Sequence, residues 1–511
     1  MNTATHFDAI VIGAGNGGLS AACRLAQAGK RVLLMEQHNL PGGCASSFRR
    51  GRFEFEVALH ELSGKNQPDS RGGLNKRLLE LGMEVPFCVI PDVFRLIATG
   101  RDGEKIDVRM PSGVDAYIEE MERLVPGSRE SMKTFFRLFK ECEKALNAIM
   151  MGKIRSQEDL EAAFPDYAAV VGKSTDQVLE EIGMPQRAQD ILNTYWSYLG
   201  VDTTRCSFDY YSECAACYVA YGASIPRYNS HGMNTAFLEA FRKQGGEVWF
   251  NTRAEKILLD GGRVCGVAYD GGEVYAGHVV ANLNPHALYK LLPDEAVPER
   301  QKKLANARRL NFRPFVVWMG LDKSAAELGI EDYAIFISET ADTKKSYEDM
   351  KVLDCSPYYV AICYNTVNPG FSPEGTCVLS FTAMYSDDAW KDVSQEDYLN
   401  KKYELADKLI ADYESRLGIS IRDSIEEIDI ASPWTLARYV GVPNGCIYGY
   451  EADEWDGVLP RMLDYAKANP IPGLRFCGAS DFMGDGYGPA NLSGDVAARM
   501  TLRDMQKEAA K

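Results

Sequence analysis

The sequence lacks several features, and each absence closes off a class of function. It has no basic excess: 56 Lys and Arg stand against 72 Asp and Glu, a formal net charge of -16. Binding nucleic acid needs a positive face that displaces counterions from phosphates, so no nucleic-acid partner is expected. No run of about 18 apolar residues is present to cross a bilayer. Met1 to His6 are polar and show no charged, apolar and small leader pattern, so the expected location is the cytoplasm. The six histidines are dispersed, none at ligand spacing with cysteine or carboxylate, and no metal is expected. The 13 cysteines are odd in number and unframed, unlike a disulfide scaffold. Cys214 and Cys217, the one close pair, read as buried free thiols, with a redox-active pair as the other reading. No nucleophile triad or carboxylate dyad stands out.

What is present is an ordinary globular composition, 46% hydrophobic and 25% charged, in 511 residues. That length exceeds one compact core, and two or more domains are expected. The organising stretch is Phe7 to Leu19: a short apolar strand, the turn Gly13-Ala14-Gly15-Asn16-Gly17-Gly18, then a helix. Gly13 permits the tight reversal, Gly15 lets backbone approach a pyrophosphate, and Gly18 lets the helix sit close to the sheet. Phosphates would rest on free N–H groups at the helix start. A second strand, Arg31 to Met35, ends at Glu36, the acid expected on a ribose hydroxyl about 20 residues past the glycines. Gln37, the pair Gly42 and Gly43, and Cys44 extend the site, because two adjacent glycines suit a backbone lying flat against a ligand.

Acid, Pro41-Gly42-Gly43 and then Phe53 to His60 together resemble the FAD-dependent superfamily of phytoene desaturases, carotenoid isomerases and retinol saturases, nearest the isomerase and saturase branch. Two positions depart from that branch, which usually has Asp and Gly where this chain has Glu56 and Ala58. The resemblance implies an α/β fold: a Rossmann-like FAD-binding domain of the glutathione-reductase and amine-oxidase type, with a mixed α+β substrate domain. The FAD-binding domain is expected from 1–84, 222–291 and 470–511, and the substrate domain from 85–221 and 292–469.

Between 85 and 221 the reading is mainly helical. Ser131 to Ile154 sets Lys133, Arg137, Lys140 and Lys144 on one face and Phe135, Phe139, Leu146 and Ile149 on another. Its plainer reading is a solvated face opposite a core face; the other is peripheral membrane contact through exposed aromatics. The tyrosines from Tyr195 to Tyr221 could equally line an apolar tunnel or fill a core. Short strands then follow, divided by Asp260-Gly261-Gly262 and Asp270-Gly271-Gly272 as hairpin turns. The resemblance places Ala254 against the adenine.

At the far end, a strand running into Gly478-Ala479-Ser480 and the segment Gly484 to Gly494 form a second glycine-rich junction before a last helix. The resemblance implies that Asp485, Ala490, Asn491 and Leu492 join the FAD site, with the backbone near Ala490 and Asn491 facing the flavin ring. A single GxGxxG argues for one dinucleotide, leaving electrons to an external donor or acceptor or to the substrate. The flavin would carry the redox step on a hydrophobic carotenoid, retinoid or fatty-acid-like double bond: saturation, desaturation or redox-neutral isomerisation. Saturation needs a proton source; His60 with Glu61 is the first candidate, Tyr228 and His231 the second. Two alternatives stand beside this reading. A flavin amine oxidase shares the scaffold, though it typically carries Arg where Cys44 stands. A non-catalytic lipid escort is the other.

Overall fold

The structure is a computed structural model that describes residues 6–64, 74–353, 358–467 and 471–510. Residues 1–5 and 511 and the parts of the expected domains at 65–73, 354–357 and 468–470 lie outside the described residues.

Five short strands make a parallel sheet in the order Glu247–Trp249, β2 (Val32–Met35), β1 (Ala9–Ile12), Val279–Ala281, Leu474–Phe476. Ile12 lies opposite Met35 on one side and Ala281 on the other. Every residue of β1 and β2 is buried, as expected for a parallel sheet covered on both faces. Alternation then sorts the side chains. Ile10, Ile12, Leu33 and Met35 pack under the three-stranded meander 254–275, with Ile257, Val267 and Val274. Ala9, Val11 and Leu34 point the other way, onto α1 (Asn16–Gln27) and the last helix, Tyr487–Ala509. The first meander turn has the two-residue form the sequence implied: Asp260 pairs with Arg263, and Gly261 and Gly262 hold φ of 54° and 80°, as a right-handed twist requires.

A second sheet has seven strands, in the order Ile425–Ala431, Arg313–Leu321, Cys377–Tyr385, Tyr358–Cys363, Ala334–Ser338, Asp92–Thr99, Lys105–Pro111. Its pairings are antiparallel except that of Ala334–Ser338 with Asp92–Thr99. On one face Phe315, Val317 and Met319 pack on Leu409 and Tyr413 of helix Tyr398–Leu417. On the other, Val316 and Trp318 turn toward the nucleotide-fold side, where the Trp318 indole N–H donates to the Glu56 carbonyl (2.5 Å).

The expectation of a mainly helical 85–221 fails over its first quarter, where Phe87–Ile90, Asp92–Thr99 and Lys105–Pro111 are strands. Asp92–Thr99 forms an antiparallel hairpin with Lys105–Pro111 through the turn at 100–104, and Ala334–Ser338 pairs with it on the other side. Helices follow from Val114 onward. Helix Arg129–Met150 has the solvated face opposite a core face of its plainer reading. Phe135 and Phe139 are fully buried, while Lys133 pairs with Glu130, Arg137 with Asp166 and Lys140 with Glu143, and Lys144 is exposed. Among the described residues, no helix is long and apolar enough to cross a membrane.

Candidate functional site

Both glycine-rich junctions open into one cavity of about 1740 Å³ at the C-terminal ends of the parallel strands, where open α/β sheets place their ligands. The volume exceeds the ~300–1,000 Å³ of drug-sized pockets, so a dinucleotide and a second molecule can share it. Gly13, Gly15, Glu36, Gln37, Gly42, Gly43, Cys44 and Ala254 line one arm with Gly478, Ala479, Asp485, Ala490 and Leu492.

The nucleotide arm is built around Asn282, which follows the strand Val279–Ala281 and which the sequence reading passed over. A Cβ on Gly15 would meet its Nδ2 at 2.5 Å, one on Gly17 its Oδ1 at 2.8 Å, and one on Gly478 the same oxygen at 2.6 Å. Three glycines from two ends of the chain thus pack on one amide. The Gly15 N-cap of α1 carries no side-chain cap, so the first N–H groups of the helix remain for an anion. Gly42 donates its N–H to the Ala14 carbonyl (2.7 Å), which lays the second glycine loop against the first.

Glu36 is 8% exposed and does two jobs. Its Oε2 accepts the Ala14 N–H (2.7 Å) and its Oε1 the His38 N–H (2.8 Å). Burial pushes its carboxyl up, against those two bonds. Ala14, Gly18 and Asn491 stand behind the cavity wall, and Gly18 makes the close packing expected of it. Ala14 faces Glu36, and Gly18 faces inward, where a Cβ would lie 1.9 Å from the Gly13 carbonyl oxygen. Asn491 turns back along its helix to the Tyr487 carbonyl (2.9 Å). None of the three lines the cavity; they shape the turns that do.

The last helix starts at Gly486, again without a side-chain cap. It lies so close to α1 that a Cβ on Gly494 would be 1.9 Å from the Gly17 carbonyl oxygen. Arg24 of α1 and Asp495 close the same contact as an ion pair.

Beyond the nucleotide arm the wall runs through His60 and Glu61. Tyrosines hold this segment: Tyr364 O–H donates to the Leu59 carbonyl (2.5 Å), Tyr333 O–H to the His60 carbonyl, and Tyr195 and Tyr198 to Glu61 Oε1 (2.9 and 3.0 Å). His60 Nε2 meets Thr382 Oγ1 at 2.9 Å, and burial lowers the imidazole to about 4. It is neutral at pH 7, which removes the imidazolium a histidine donor would need. Burial pushes Glu61 up to about 8, outweighing its two tyrosyl bonds.

Tyr228 and His231 are corrected as site residues. Tyr228 is 66% exposed at the N-cap of helix Asn229–Lys243, and neither side chain lines the cavity. Ser230 of the same turn is buried behind the wall: its N–H donates to Glu56 Oε1 (2.7 Å) and its Oγ meets the hydroxyl of the cavity-lining Tyr487 (2.8 Å). Glu56, one of the two departures from the resembled branch, is buried and pushed up to about 8 by that burial.

The second arm runs between helix Arg129–Met150, through Glu143, Leu146 and Met150, and helix Phe208–Tyr221, through Glu213, Cys214, Cys217, Tyr218 and Tyr221. The aromatic-rich stretch thus divides. Tyr198, Tyr210, Tyr218 and Tyr221 line the cavity, while Tyr195, Trp196 and Tyr211 are core. Cys214 and Cys217 are free, and burial holds both thiols well above their ordinary range, which disfavours the thiolate that redox exchange requires.

Besides Glu36, burial pushes up several carboxyls strongly: Glu56, Glu61, Glu213 and Asp481 to about 8, Asp485 to about 7. In the unfolded chain they ionise near pH 4, so between about pH 4 and 8 the native state holds more protons. Their stabilisation is full below that window and is lost as pH rises through it. The thermal midpoint of the apoprotein is expected to fall between about pH 5 and pH 8.5; a rising midpoint would contradict these burials.

The comparisons agree with this geometry. Residues 11–76 match the family model described as an NAD(P)-binding Rossmann-like domain. Over 538 aligned positions the chain is 25% identical to prolycopene isomerase 2, chloroplastic, of an Oncidium hybrid cultivar, covering 99% of this chain and 85% of that protein. It is 24% identical to the all-trans-retinol 13,14-reductase of Rattus norvegicus, covering 98% and 87%. Among solved structures, cyclohexylamine oxidase from Brevibacterium oxydans IH-35A superimposes with a TM-score of 0.62 at 16% identity, over 98% of this chain and 100% of that one. An oxidoreductase from Methanosarcina mazei gives 0.61 at 17%, over 97% and 99%. These structural likenesses establish the fold.

Proposed function

We propose, from the chain's full-length similarity to prolycopene isomerases and all-trans-retinol 13,14-reductases, that it binds FAD and acts on carbon–carbon double bonds of a hydrophobic carotenoid-, retinoid- or fatty-acid-like substrate. One observation carries the reading: two uncapped helix starts, from opposite ends of the sequence, open into a cavity whose other arm is lined by tyrosines with Leu146 and Met150 beside Glu143 and Glu213.

The residues fit a flavin dinucleotide. The α1 start and Gly15 suit the pyrophosphate, Glu36 the adenosine ribose, Ala254 the adenine, and the backbone around Ala490 the ring end. When bound, the flavin supplies hydride transfer. The chain's own part is to hold the substrate in the tyrosine-lined arm, exclude water, and place a proton at the His60 and Glu61 wall. The division into a nucleotide domain of 1–84, 222–291 and 470–511 and a substrate domain of 85–221 and 292–469 is part of this proposal. So is an external electron partner.

Purified protein is expected to be yellow and to release FAD on acid denaturation. Release of FMN, or of no flavin, would overturn the cofactor assignment. Anaerobic incubation of dithionite-reduced protein with a polyene panel then resolves the chemistry. A gain of two hydrogens marks saturation, an unchanged mass with altered retention marks isomerisation, and turnover of amines alone would move the assignment to the amine oxidases.

A further inference from the structure

We propose that Asp485, Tyr218 and Tyr448 form a subsite for a hydroxyl group of the substrate, where the nucleotide arm of the cavity meets the second arm. The inference rests on the double-bond reading above and deepens it: among lipid alkenes it selects those that carry an alcohol.

Three segments far apart in the chain supply the subsite. Asp485 sits between Gly484 and Gly486, at φ of 74° and 97°, just ahead of the last helix. Tyr218 belongs to helix Phe208–Tyr221, and Tyr448 to the loop after Pro443–Gly445. All three line the cavity and are partly exposed. Among the described residues, neither tyrosyl O–H has a hydrogen-bond partner, and the carboxyl takes no hydrogen bond from another residue. Their polar atoms are open to the cavity, unlike Glu61 Oε2, the Asp481 oxygens and the Tyr450 hydroxyl, which are sealed without a partner. A ligand in the cavity meets the open groups.

Packing holds the three in place. Tyr218 stacks on Tyr195 with centroids 4.9 Å apart and meets Tyr198 edge-on at 5.8 Å, and Tyr448 lies against Phe312 at 4.7 Å. The turn that carries Asp485 is wedged as well: a Cβ on Gly484 would be 2.9 Å from Tyr210 Cε1, and the Tyr210 O–H donates to the Phe482 carbonyl (2.9 Å). Groups fixed in advance lose little freedom when a ligand arrives. Burial holds both phenols well above their ordinary range, and the Asp485 charge adds to it at each. Both tyrosines therefore keep their hydrogens, and both lie within electrostatic reach of the carboxyl.

The balance of donors and acceptors names the ligand. The subsite offers two O–H donors and one carboxylate acceptor. A hydroxyl has two lone pairs and one hydrogen, so it accepts from Tyr218 and Tyr448 and donates to Asp485 with nothing left over. A hydrocarbon leaves all three groups dry and unpaired, which is costly. A carboxylate sets like charge against Asp485, and an ammonium has no lone pair for the tyrosyl O–H groups. Burial pushes Asp485 up to about 7, outweighing its own N–H and the Arg461 guanidinium. It is an acid short of hydrogen-bond donors, and a ligand O–H supplies one.

The test titrates purified full-length protein, by quenching of its fluorescence, with ligands that share one skeleton and differ at one end. A retinoid series and an oleyl series are each run as alcohol, primary amine, carboxylate and hydrocarbon. In at least one series the alcohol should bind ~10-fold or more tightly than the other three. Tyr218→Phe and Tyr448→Phe keep the rings and remove one donor each, and Asp485→Ala removes the acceptor. Each should weaken the alcohol by ~3–10-fold and leave the hydrocarbon unchanged. Titration with FAD should give all three variants an affinity within about threefold of wild type. The proposal is overturned if no alcohol binds, if another end group binds as tightly in both series, or if the alcohol ignores the three substitutions. Loss of FAD affinity in Asp485→Ala overturns it too, because the carboxyl would then belong to the flavin. A wild-type protein that is colourless and takes up no FAD overturns the flavin reading instead, and the comparison of end groups still decides the subsite.

Discussion

Gly494→Ala should lower the thermal midpoint of the apoprotein by about 5–10 °C, although residue 494 touches no ligand position. Its Cβ would sit 1.9 Å from the Gly17 carbonyl oxygen, 2.7 Å from the carbonyl carbon and 3.0 Å from Cα. All three are backbone atoms of α1, so no rotamer change relieves the contact and the two helices must part. Overpacking of this kind costs about 3 kcal/mol or more, of which each kcal/mol is worth ~2–4 °C in a domain of a few hundred residues. Parting the helices also moves the uncapped start of α1 away from that of the last helix, so FAD retention should fall with the midpoint. Gly488→Ala, in the first turn of the same helix, is the control: its Cβ meets nothing within 4 Å, and its midpoint should stay at the wild-type value or rise slightly. Equal midpoints for the two variants would refute the close-packing argument.

The second large effect is expected at Glu36, and its signature is that glutamine does not rescue. Each carboxylate oxygen accepts a backbone N–H, from Ala14 and from His38. In Glu36→Gln one of those N–H groups would face the amide NH2, a donor against a donor. In Glu36→Ala both are left without an acceptor. Hydrogen bonds to a charged group are worth ~1.5–3 kcal/mol each and stranded buried donors cost ~1–3 kcal/mol, so both variants should bind FAD at least ~100-fold more weakly. Fluorescence titration of apoprotein with FAD measures this directly. A Glu36→Gln affinity within about threefold of wild type would show that the carboxylate matters for shape alone.

These two sites differ in how far sequence discloses them. The Gly13 to Gly18 turn, Glu36 and the Gly42–Gly43 pair are legible because each acts within its own strand–turn–helix or next to it, where spacing carries geometry. The hairpins at Gly261 and Gly271 are legible for the same reason. Asn282 is not, because its part depends on Gly15, Gly17 and Gly478 converging on it from segments far apart in the chain. Glu61 was visible as a candidate, but its state is set by Tyr195 and Tyr198, which look like ordinary core aromatics until they are folded over it. Strand Asp92–Thr99 was misread although its hairpin partner, Lys105–Pro111, is local: the turn Gly100-Arg101-Asp102-Gly103 between them was passed over. Tyr228 and His231 were misplaced because polarity beside a helix start says nothing about which way the first turn faces.

The parallel sheet is completed by Leu474–Phe476, paired with Val279–Ala281, which in turn pairs with β1. In chain order β1, α1 and Glu36 come well before the edge strand and the helix that seat against them. Until those later segments are made, the nascent chain exposes one unpaired strand edge and the bare glycine face of α1, surfaces prone to wrong pairing. The two glycine-rich junctions can come together only after that, which makes this fold dependent on whatever shields its earlier segments in the meantime.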